Sequence, residues 1–248
     1  MIRFWLFFLL ILLFGGCSSK QHDFSHSIFQ TSGASRMREY QLDLDELLLN
    51  LQIKLQKRNP KIFSKNIKYL LKIDMKNNSD TIFMSQDYKK CLKKAFSEKS
   101  VKYRGDYLVV GLYKMFYQAF DRNDFHKISA LQYDPQKLQK AYALLQAISW
   151  KIKVAKDKNG NYLFLTWQNN WQIELQKRLK QNNKFSVKLI NNLQYIKNKK
   201  ESLFSPSNLS FESIFDKMSF VFEKALKTVG VEPRNLSTQA LKSLLILL

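Results

Sequence analysis

Apolar side chains recur every three or four residues along most of this chain, a spacing that places them on one face of an α-helix. The longest run begins near Arg36 and predicts a helix whose apolar face consists of Tyr40, Leu44, Leu47, Leu48, Leu51 and Leu55. Asn59 and Pro60, a capping residue followed by a first-turn proline, then predict the start of a second helix that continues through Leu71.

The middle of the chain has the densest apolar pattern. Asp106 stands where it can cap a helix with an apolar face from Val109 to Phe120, and a shorter helix from about Gln86 to Phe96 precedes it. Asp134 and Pro135 predict the start of another helix. Two amphipathic helices joined by a short loop form a helical hairpin, the unit from which bundles are built.

The C-terminal part of the chain continues the helical pattern. The segments from Phe185 to Ile196 and from Phe211 to Val229 each predict a helix, and Gly230 marks the end of the second one. A last helix, capped by Ser237, ends in the apolar residues Leu244, Leu245, Ile246, Leu247 and Leu248. The pattern as a whole predicts an all-α protein, built as a multi-helix bundle or as stacked helical hairpins.

One stretch, residues 150–167, fits two structures. The apolar residues on either side of Lys158-Asn159-Gly160 can form one small β-hairpin around a turn. Alternatively, two helices meet at that turn, and the second contains Trp167, Trp171, Leu175 and Leu179. We expect the helical version, with the hairpin as the exception to an otherwise helical fold.

Composition agrees with helices and adds a strong positive charge. Glycine (7) and proline (4) are scarce among the 248 residues, whereas β-sandwiches and barrels use both at their turns. The 41 lysine and arginine residues exceed the 20 acidic residues, which gives a net charge of +21 and favours binding to polyanions. An AT-rich coding sequence also enriches lysine, so the alternative is that these lysines are solvated surface without a ligand.

The first residues of the chain form a short apolar segment. The run from Phe4 to Phe14 is shorter than the roughly 18 to 20 residues that span a membrane, and it is typical of a secretory signal. The stretch Leu13-Phe14-Gly15-Gly16-Cys17 that follows resembles the lipobox of bacterial lipoproteins. This resemblance implies that Cys17 is modified with diacylglycerol, that a signal peptidase cleaves before it, and that acyl chains anchor the protein to a membrane.

The resemblance, the polar composition of residues 18–35 and the helical periodicity after them together predict three regions: a signal peptide at 1–16, a flexible tether at 17–35 and a helical periplasmic domain at 36–248. Ser18 occupies the position where an aspartate would favour retention in the inner membrane. The implied location is therefore the outer membrane, with the protein lipid-anchored and facing the periplasm. The alternative is an ordinary secretory signal, which would leave Cys17 as a plain thiol.

The chain shows no local motif for catalysis. We find no glycine-rich phosphate loop, zinc-ligand spacing or calcium loop, and we expect neither a cofactor nor a bound metal. His22 and His26 belong to the predicted tether, and His126 belongs to a loop. Cys91 lies on the apolar side of its helix, which predicts a buried structural thiol. Arg104-Gly105-Asp106 matches an adhesion tripeptide, but its place at a helix start favours the capping role.

These observations favour a protein that is not an enzyme, and they leave two main classes of function. The first is a structural or accessory scaffold in a cell-envelope assembly, with Leu244 to Leu248 as a docking segment. The second is a binding module for an anionic polymer such as cell-wall glycan or lipopolysaccharide. Its candidate contacts are Lys89, Lys90, Lys93, Lys94, Trp167 and Trp171, although tryptophans at helical spacing are also typical of a core. A periplasmic hydrolase is the third alternative, and export argues against nucleic acid as a partner.

Overall fold

The computed structural model describes residues 31–64, 87–122, 127–182, 184–205 and 209–233. These residues form eight α-helices and no β-strand, which confirms the all-α prediction. The helices are α1 (Ser32–Arg58), α2 (Tyr88–Ala95), α3 (Arg104–Ala119), α4 (Pro135–Val154), α5 (Asn170–Asn182), α6 (Val187–Asn191), α7 (Gln194–Lys197) and α8 (Leu209–Thr228). The described residues also include two short 3₁₀ turns, at Pro60–Ile62 and Ala130–Gln132.

Four of the helices, α1, α3, α4 and α8, form a bundle. Both α1 and α4 pack against α3 and against α8, so each helix contacts two neighbours. Contacts between neighbouring helices show that they are antiparallel: Gly33 with Thr228, Asp45 with Arg122, Asp121 with Lys137, and Tyr142 with Glu223. The arrangement is an up-down-up-down four-helix bundle, the first of the two architectures that the sequence predicts.

The bundle has two ends, which we name after residues at the two ends of α1. The Thr31 end contains the starts of α1 and α4 and the ends of α3 and α8. The Arg58 end lies at the other side, about 40 Å away, because α1 has 27 residues that each rise 1.5 Å. Helix α5 is joined to the Arg58 end, where Arg58 Nη1 donates a hydrogen bond to Asn170 Oδ1 at 2.8 Å. Helix α2 packs on the outer side of α3.

The bundle core is rich in aromatic rings. Phe222 of α8 lies between Phe116 and Phe120 of α3, with ring centroids 5.5 and 5.7 Å away. The predicted apolar face of α1 is confirmed, since its fully buried side chains include Leu44, Leu48, Leu51 and Leu55. Burial of each such Phe or Leu side chain contributes about 1.5 to 3 kcal/mol, so the four apolar stripes stabilise one another.

Local sequence signals place several helix boundaries correctly. The Asp134 carboxylate accepts hydrogen bonds from the backbone N–H groups of Gln136 and Lys137 at 2.8 and 3.4 Å, which confirms the predicted start of α4. At the other end of the chain, α8 stops before Gly230, whose φ of +81° is a left-handed conformation that glycine adopts easily.

The first helix begins earlier than its apolar pattern indicates. Thr31 Oγ1 accepts a hydrogen bond from the backbone N–H of Ala34 at 3.3 Å, so the helix starts at Ser32 instead of near Arg36. The Ala34 side chain is buried. The last residues of the segment that we predict as tether therefore belong to the bundle, because a short capping signal without large apolar residues does not register as periodicity.

The helical prediction for residues 150–167 is wrong over most of its length. Helix α4 ends at Val154, and the next helix begins only at Asn170. A single antiparallel bridge joins Lys156 to Tyr162, and the carboxylate of Asp157 accepts backbone N–H groups within the turn between them. The segment is thus a tight turn with one bridge, closer to the hairpin alternative than to two meeting helices, although no strand forms in it.

Two further predicted helices are shorter than their patterns suggest. The segment from Phe185 to Ile196 contains α6 and α7, which are separated because the fully buried Leu193 is extended. After Asn59, the helix predicted through Leu71 is only the 3₁₀ turn Pro60–Ile62 where the chain is described, and Phe63 beyond it is extended. The rest of that predicted helix, from residue 65, lies outside the described residues.

Asp106 is a buried residue instead of the predicted cap of α3. The helix begins two residues earlier, at Arg104, and both carboxylate oxygens of Asp106 accept the backbone N–H of Ser64 at 3.2 Å. The neighbouring Gly105 leaves room for Phe63, because a β-carbon at position 105 would lie 2.4 Å from Phe63 Cζ. Burial raises the pKa of Asp106 to about 6, although the hydrogen bond from Ser64 partly opposes this shift.

We expect Asp106→Asn to change how the free energy of unfolding depends on pH. Between about pH 4 and 6 the folded protein keeps a proton on Asp106 that the unfolded chain has lost, so stability falls as pH rises through this window. Asparagine does not titrate. The free energy of unfolding of Asp106→Asn, relative to the parent protein, should therefore rise by on the order of 3 kcal/mol from pH 4 to pH 7.

Urea denaturation at several pH values measures this difference. Asp43→Asn, at an exposed position on α1, is the control for the change in net charge. A stability difference between Asp106→Asn and the parent that stays constant from pH 4 to pH 7 would contradict the prediction.

Candidate functional site

Helix α2 presents a row of lysines to solvent. Its buried side packs on α3 and consists of Tyr88, Cys91, Leu92 and Ala95. Its exposed side, as the sequence predicts, carries Lys89, Lys90, Lys93 and Lys94. We call these four residues the α2 lysine face. The Nζ atom of Lys94 lies 4.9 Å from the centre of the Tyr107 ring, so one member of the row contacts an aromatic side chain of α3.

A glycine on α3 sets the position of the lysine face. A β-carbon on Gly111 would lie 2.9 Å from Leu92 Cδ2 and 3.3 Å from Cys91 Cβ, so a larger residue would push α2 away from the bundle. The close contact between the two helices therefore fixes where the lysines stand relative to the neighbouring surface.

A cleft of about 560 Å³ lies beside the lysine face, between the start of α2, the end of α3 and the start of α4. Its charged lining residues are Asp87, Lys89, Asp121, Lys137 and Lys140. The volume lies in the range of small-molecule sites, which is roughly 300 to 1,000 Å³. We call this space the α2–α4 cleft.

The charges in the α2–α4 cleft leave it positive. Asp121 is paired with two lysines: its Oδ2 lies 3.3 Å from Lys127 Nζ, and its Oδ1 contacts Lys137 Nζ. Within the described parts of the chain, neither Lys89 nor Lys140 takes part in an ion pair. The cleft thus continues the positive surface of α2 towards α4, and it can attract phosphate or carboxylate groups.

No pattern in the sequence predicts that Asp121, Lys137 and Lys140 lie near α2. They come from segments far along the chain and meet α2 only because α3 and α4 are antiparallel. The only local signal was that both lysines stand in the first turns of a helix with a clear start at Asp134.

Trp167 belongs to the core instead of a binding platform. Its ring packs against Phe211 and Phe215 of α8, with centroid distances of 5.9 and 6.5 Å. Its indole N–H donates to Glu212 at 3.3 Å, and Lys153 Nζ lies 4.5 Å from the ring centre. Because these contacts engage the ring, Trp167 is unsuited to stacking on a ligand, as the core alternative predicts.

Trp171 is half-buried at the start of α5. Its backbone N–H donates to Glu201 Oε2 at 3.0 Å, so the carboxylate of Glu201 caps α5 from another segment. The ring lines a shallow groove with Leu175 and Leu179 at the Arg58 end. Neither tryptophan lines the α2–α4 cleft.

The adhesion tripeptide is inaccessible in this structure. Arg104 is 5% exposed, and its guanidinium donates to the backbone carbonyls of Ala95, Ser97 and Lys99 at 2.6 to 2.8 Å. Asp106 is fully buried. Arg104 instead joins the end of α2 to the start of α3, so the tripeptide has a structural role.

Cys91 is a buried thiol, as the sequence predicts. Its side chain is fully buried against α3, and burial raises the pKa of its thiol while the charges of Lys114 and Lys94 partly oppose this. A thiol in this environment stays protonated and unreactive near neutral pH.

Several acidic side chains serve as distant helix caps. Glu174 accepts the backbone N–H groups of Gln194 and Tyr195, at the start of α7, at 2.9 and 3.3 Å. Glu212 pairs with Lys153 at 2.6 Å. These carboxylates connect segments that are remote in sequence, which is a structural use of charge.

The remaining candidate residues lie outside the described residues. These are Cys17, Ser18, the three histidines and Leu244 to Leu248. Within the described ranges no group of three or more His, Cys, Asp or Glu side chains could bind a metal ion. In the same ranges no helix has the length and apolar character needed to cross a membrane.

Comparison with known proteins gives no relative from which a role could be transferred: no family model, no curated protein and no solved structure matches this chain. Functional inference therefore depends on the residues and geometry described above.

Proposed function

We propose that this protein is a lipoprotein anchored to the outer membrane through acyl chains on Cys17, where it faces the periplasm and serves as a scaffold in a cell-envelope assembly. The observation that carries the anchor is the stretch Leu13-Phe14-Gly15-Gly16-Cys17, which resembles a lipobox and directly follows a short apolar run. Ser18 after the cysteine supports the outer membrane as the destination.

A helical surface with exposed apolar side chains supports the scaffold role. Trp150 and Val154 on α4 are 62% and 43% exposed, and Leu209 and Phe220 on α8 are 57% and 55% exposed. We call these four residues the α4–α8 outer face. Large aromatic side chains are enriched at protein interfaces, where they contribute much of the binding energy.

The apolar residues of the α4–α8 outer face are exposed although the interface between the two helices is closed. A row of polar contacts closes the outer edge of their interface, as in Tyr142 to Glu223 at 2.8 Å and Gln146 to Ser219 at 2.7 Å. At 100° per residue, Trp150 and Phe220 project outward from this row. Since the interface between α4 and α8 is complete without these two exposed rings, the rings are available to a protein partner.

Replacement of Cys17 tests the anchor. We expect Cys17→Ser to abolish acylation and to accumulate as a precursor with its signal segment uncut, because serine lacks the thiol that receives the lipid. Mass spectrometry of the N-terminal peptide and labelling of cells with a radioactive fatty acid measure the modification. Unchanged processing of Cys17→Ser, or an unmodified Cys17 in the parent protein, would rule out the lipoprotein assignment.

Site-specific photo-crosslinking in cells tests the scaffold role. We expect a photoreactive amino acid at position 150 or 220 to crosslink in high yield to one envelope protein, because the α4–α8 outer face is proposed as the contact surface. The matched control is position 50, which is exposed on α1, a helix that does not form the α4–α8 outer face. Immunoblotting and mass spectrometry identify the crosslinked product.

A shortened chain separates two possible docking surfaces. Removal of Leu244 to Leu248 should reduce the crosslink only if this segment also contacts the partner, and circular dichroism reports whether the shortened protein remains folded. If the full-length protein with the photoreactive residue at position 150, and likewise at position 220, remains monomeric and gives no crosslinked product, the scaffold proposal is wrong.

A second candidate function is binding of an anionic envelope polymer, such as cell-wall glycan or lipopolysaccharide. The observation that favours it is the continuity of the α2 lysine face with the positive α2–α4 cleft, which together present cations from two helices. A polymer bearing phosphate or carboxylate groups could follow the lysine row and place one group in the cleft.

Replacement of all four residues of the α2 lysine face by glutamine tests this second candidate. We expect cosedimentation with purified wall material or lipopolysaccharide to weaken, and the dependence of binding on salt to become less steep, because fewer counterions are exchanged. The control variant replaces four scattered exposed lysines by glutamine, namely Lys57, Lys158, Lys197 and Lys217. Equal losses in both variants would indicate a general charge effect and exclude a site on α2.

A further inference from the structure

The Thr31 end of the bundle carries two aliphatic side chains that face solvent. Leu131 is 86% exposed and Ile128 is 51% exposed, in the connection between α3 and α4. Exposure of an isolated apolar residue is ordinary, but these two stand together on one short turn at the end of a bundle. We call them the aliphatic tip.

Hydrogen bonds give the aliphatic tip a defined conformation. Gln132 Oε1 accepts the backbone N–H groups of Ile128 and Ser129 at 2.6 and 3.1 Å, while Ser129 Oγ accepts that of Leu131 at 3.3 Å. This reciprocal capping box fixes the 3₁₀ turn Ala130–Gln132. Leu131 is therefore pointed outward by an ordered turn, and contact with an apolar phase would not require the turn to reorganise.

The aliphatic tip is joined to the place where α1 begins. The backbone N–H and the hydroxyl of Thr31 both donate to the carbonyl oxygen of Ile128, at 2.9 and 3.0 Å. A β-carbon on Gly33 would lie 3.0 Å from the β-carbon of Ala130, so the turn also packs directly on the first turn of α1. Thr31, the first described residue after Cys17, therefore lies directly beside Ile128.

The distance along the chain limits how far this end can stand from an anchored Cys17. The fourteen peptide steps from Cys17 to Thr31 reach at most about 50 Å in any conformation. The Arg58 end lies about 40 Å further along α1. An anchor at Cys17 therefore raises the effective concentration of bilayer at the Thr31 end above that at the Arg58 end.

We propose that Ile128 and Leu131 insert into the interface of the lipid bilayer, so that the Thr31 end of the bundle rests on the membrane. This inference depends on the proposed acylation of Cys17 and adds an orientation to it. Two side chains of this size bind a membrane too weakly to anchor a protein alone, but they can orient one that acyl chains already keep at the surface. The neighbouring trio of Asp121, Lys127 and Lys137 has a net positive charge, which is compatible with the anionic headgroups of a bilayer.

Fluorescent labelling of the acylated protein in vesicles tests the orientation. A single cysteine at position 131 (Leu131→Cys) or at position 204 (Phe204→Cys) is labelled with an environment-sensitive dye. Phe204 is the matched control because it is 94% exposed and lies at the Arg58 end, where Asn169 Nδ2 bonds to Ser205 O. The native Cys91 is buried, and the parent protein, carried through the same labelling, measures any background from it.

We expect the dye at position 131 to shift to shorter emission wavelengths in vesicles of phosphatidylethanolamine and phosphatidylglycerol. The same dye should be quenched by lipids that carry a nitroxide group near the top of the acyl chain. The dye at position 204 should show neither effect. If the dye at position 131 behaves like the dye at position 204 in acylated, vesicle-bound protein, the inference is overturned while the anchor stands.

Two other results also overturn the inference and identify their cause. A shift at position 131 without quenching by nitroxide lipids would place a protein surface, such as a second copy of this chain, over the aliphatic tip. An N-terminal peptide without acyl chains, with no vesicle binding by the labelled protein, would remove the proposed anchor and the membrane orientation together.

Discussion

The mutual burial of apolar stripes on α1, α3, α4 and α8 is the constraint on which the rest of the structure depends. Each of these helices packs its main apolar stripe against two antiparallel neighbours, which shield the stripe from water. The rings of Phe116, Phe120 and Phe222 interlock at the centre of this arrangement. The α2–α4 cleft, the α4–α8 outer face and the aliphatic tip all lie at the margins of the same packing.

Polar side chains hold the irregular segments that the apolar core does not fix, mainly at the Arg58 end. Asn59 exchanges hydrogen bonds with the backbone of Leu165, Arg58 contacts Asn170, and Arg104 gathers three carbonyls. Irregular segments without their own apolar periodicity are attached to the bundle in this way. Buried charge in the described chain is thus largely engaged in structural contacts, and the surfaces that remain for function are apolar or lysine-rich.

The sequence was sufficient for the class of fold and for helices with a strong stripe, such as α1, α4 and α8. It was not sufficient where the local structure depends on one buried residue or on a contact with a residue distant in sequence. Leu193 interrupts a regular pattern because it must be buried, and Asp106 is a buried acceptor for Ser64, a residue more than forty positions away. Of the candidate binding residues, the sequence correctly predicted that the lysines of α2 lie on an exposed face, whereas the Trp167 ring packs against the core. The lysines of α4 could not be predicted because only tertiary packing brings them to α2.

The even number of antiparallel helices in the bundle has a geometric consequence for an anchored protein. Because α1 starts and α8 ends at the same end, Thr31 and Pro233, the first and last described residues, both belong to that end of the molecule. With the acylation of Cys17 and the membrane contact proposed above, the described bundle would act as an upright spacer whose long axis sets a height of about 40 Å above the bilayer. Trp150 would then stand near the top of that spacer and Phe220 nearer the middle, so a partner on this flank would be engaged sideways, at a defined height above the membrane.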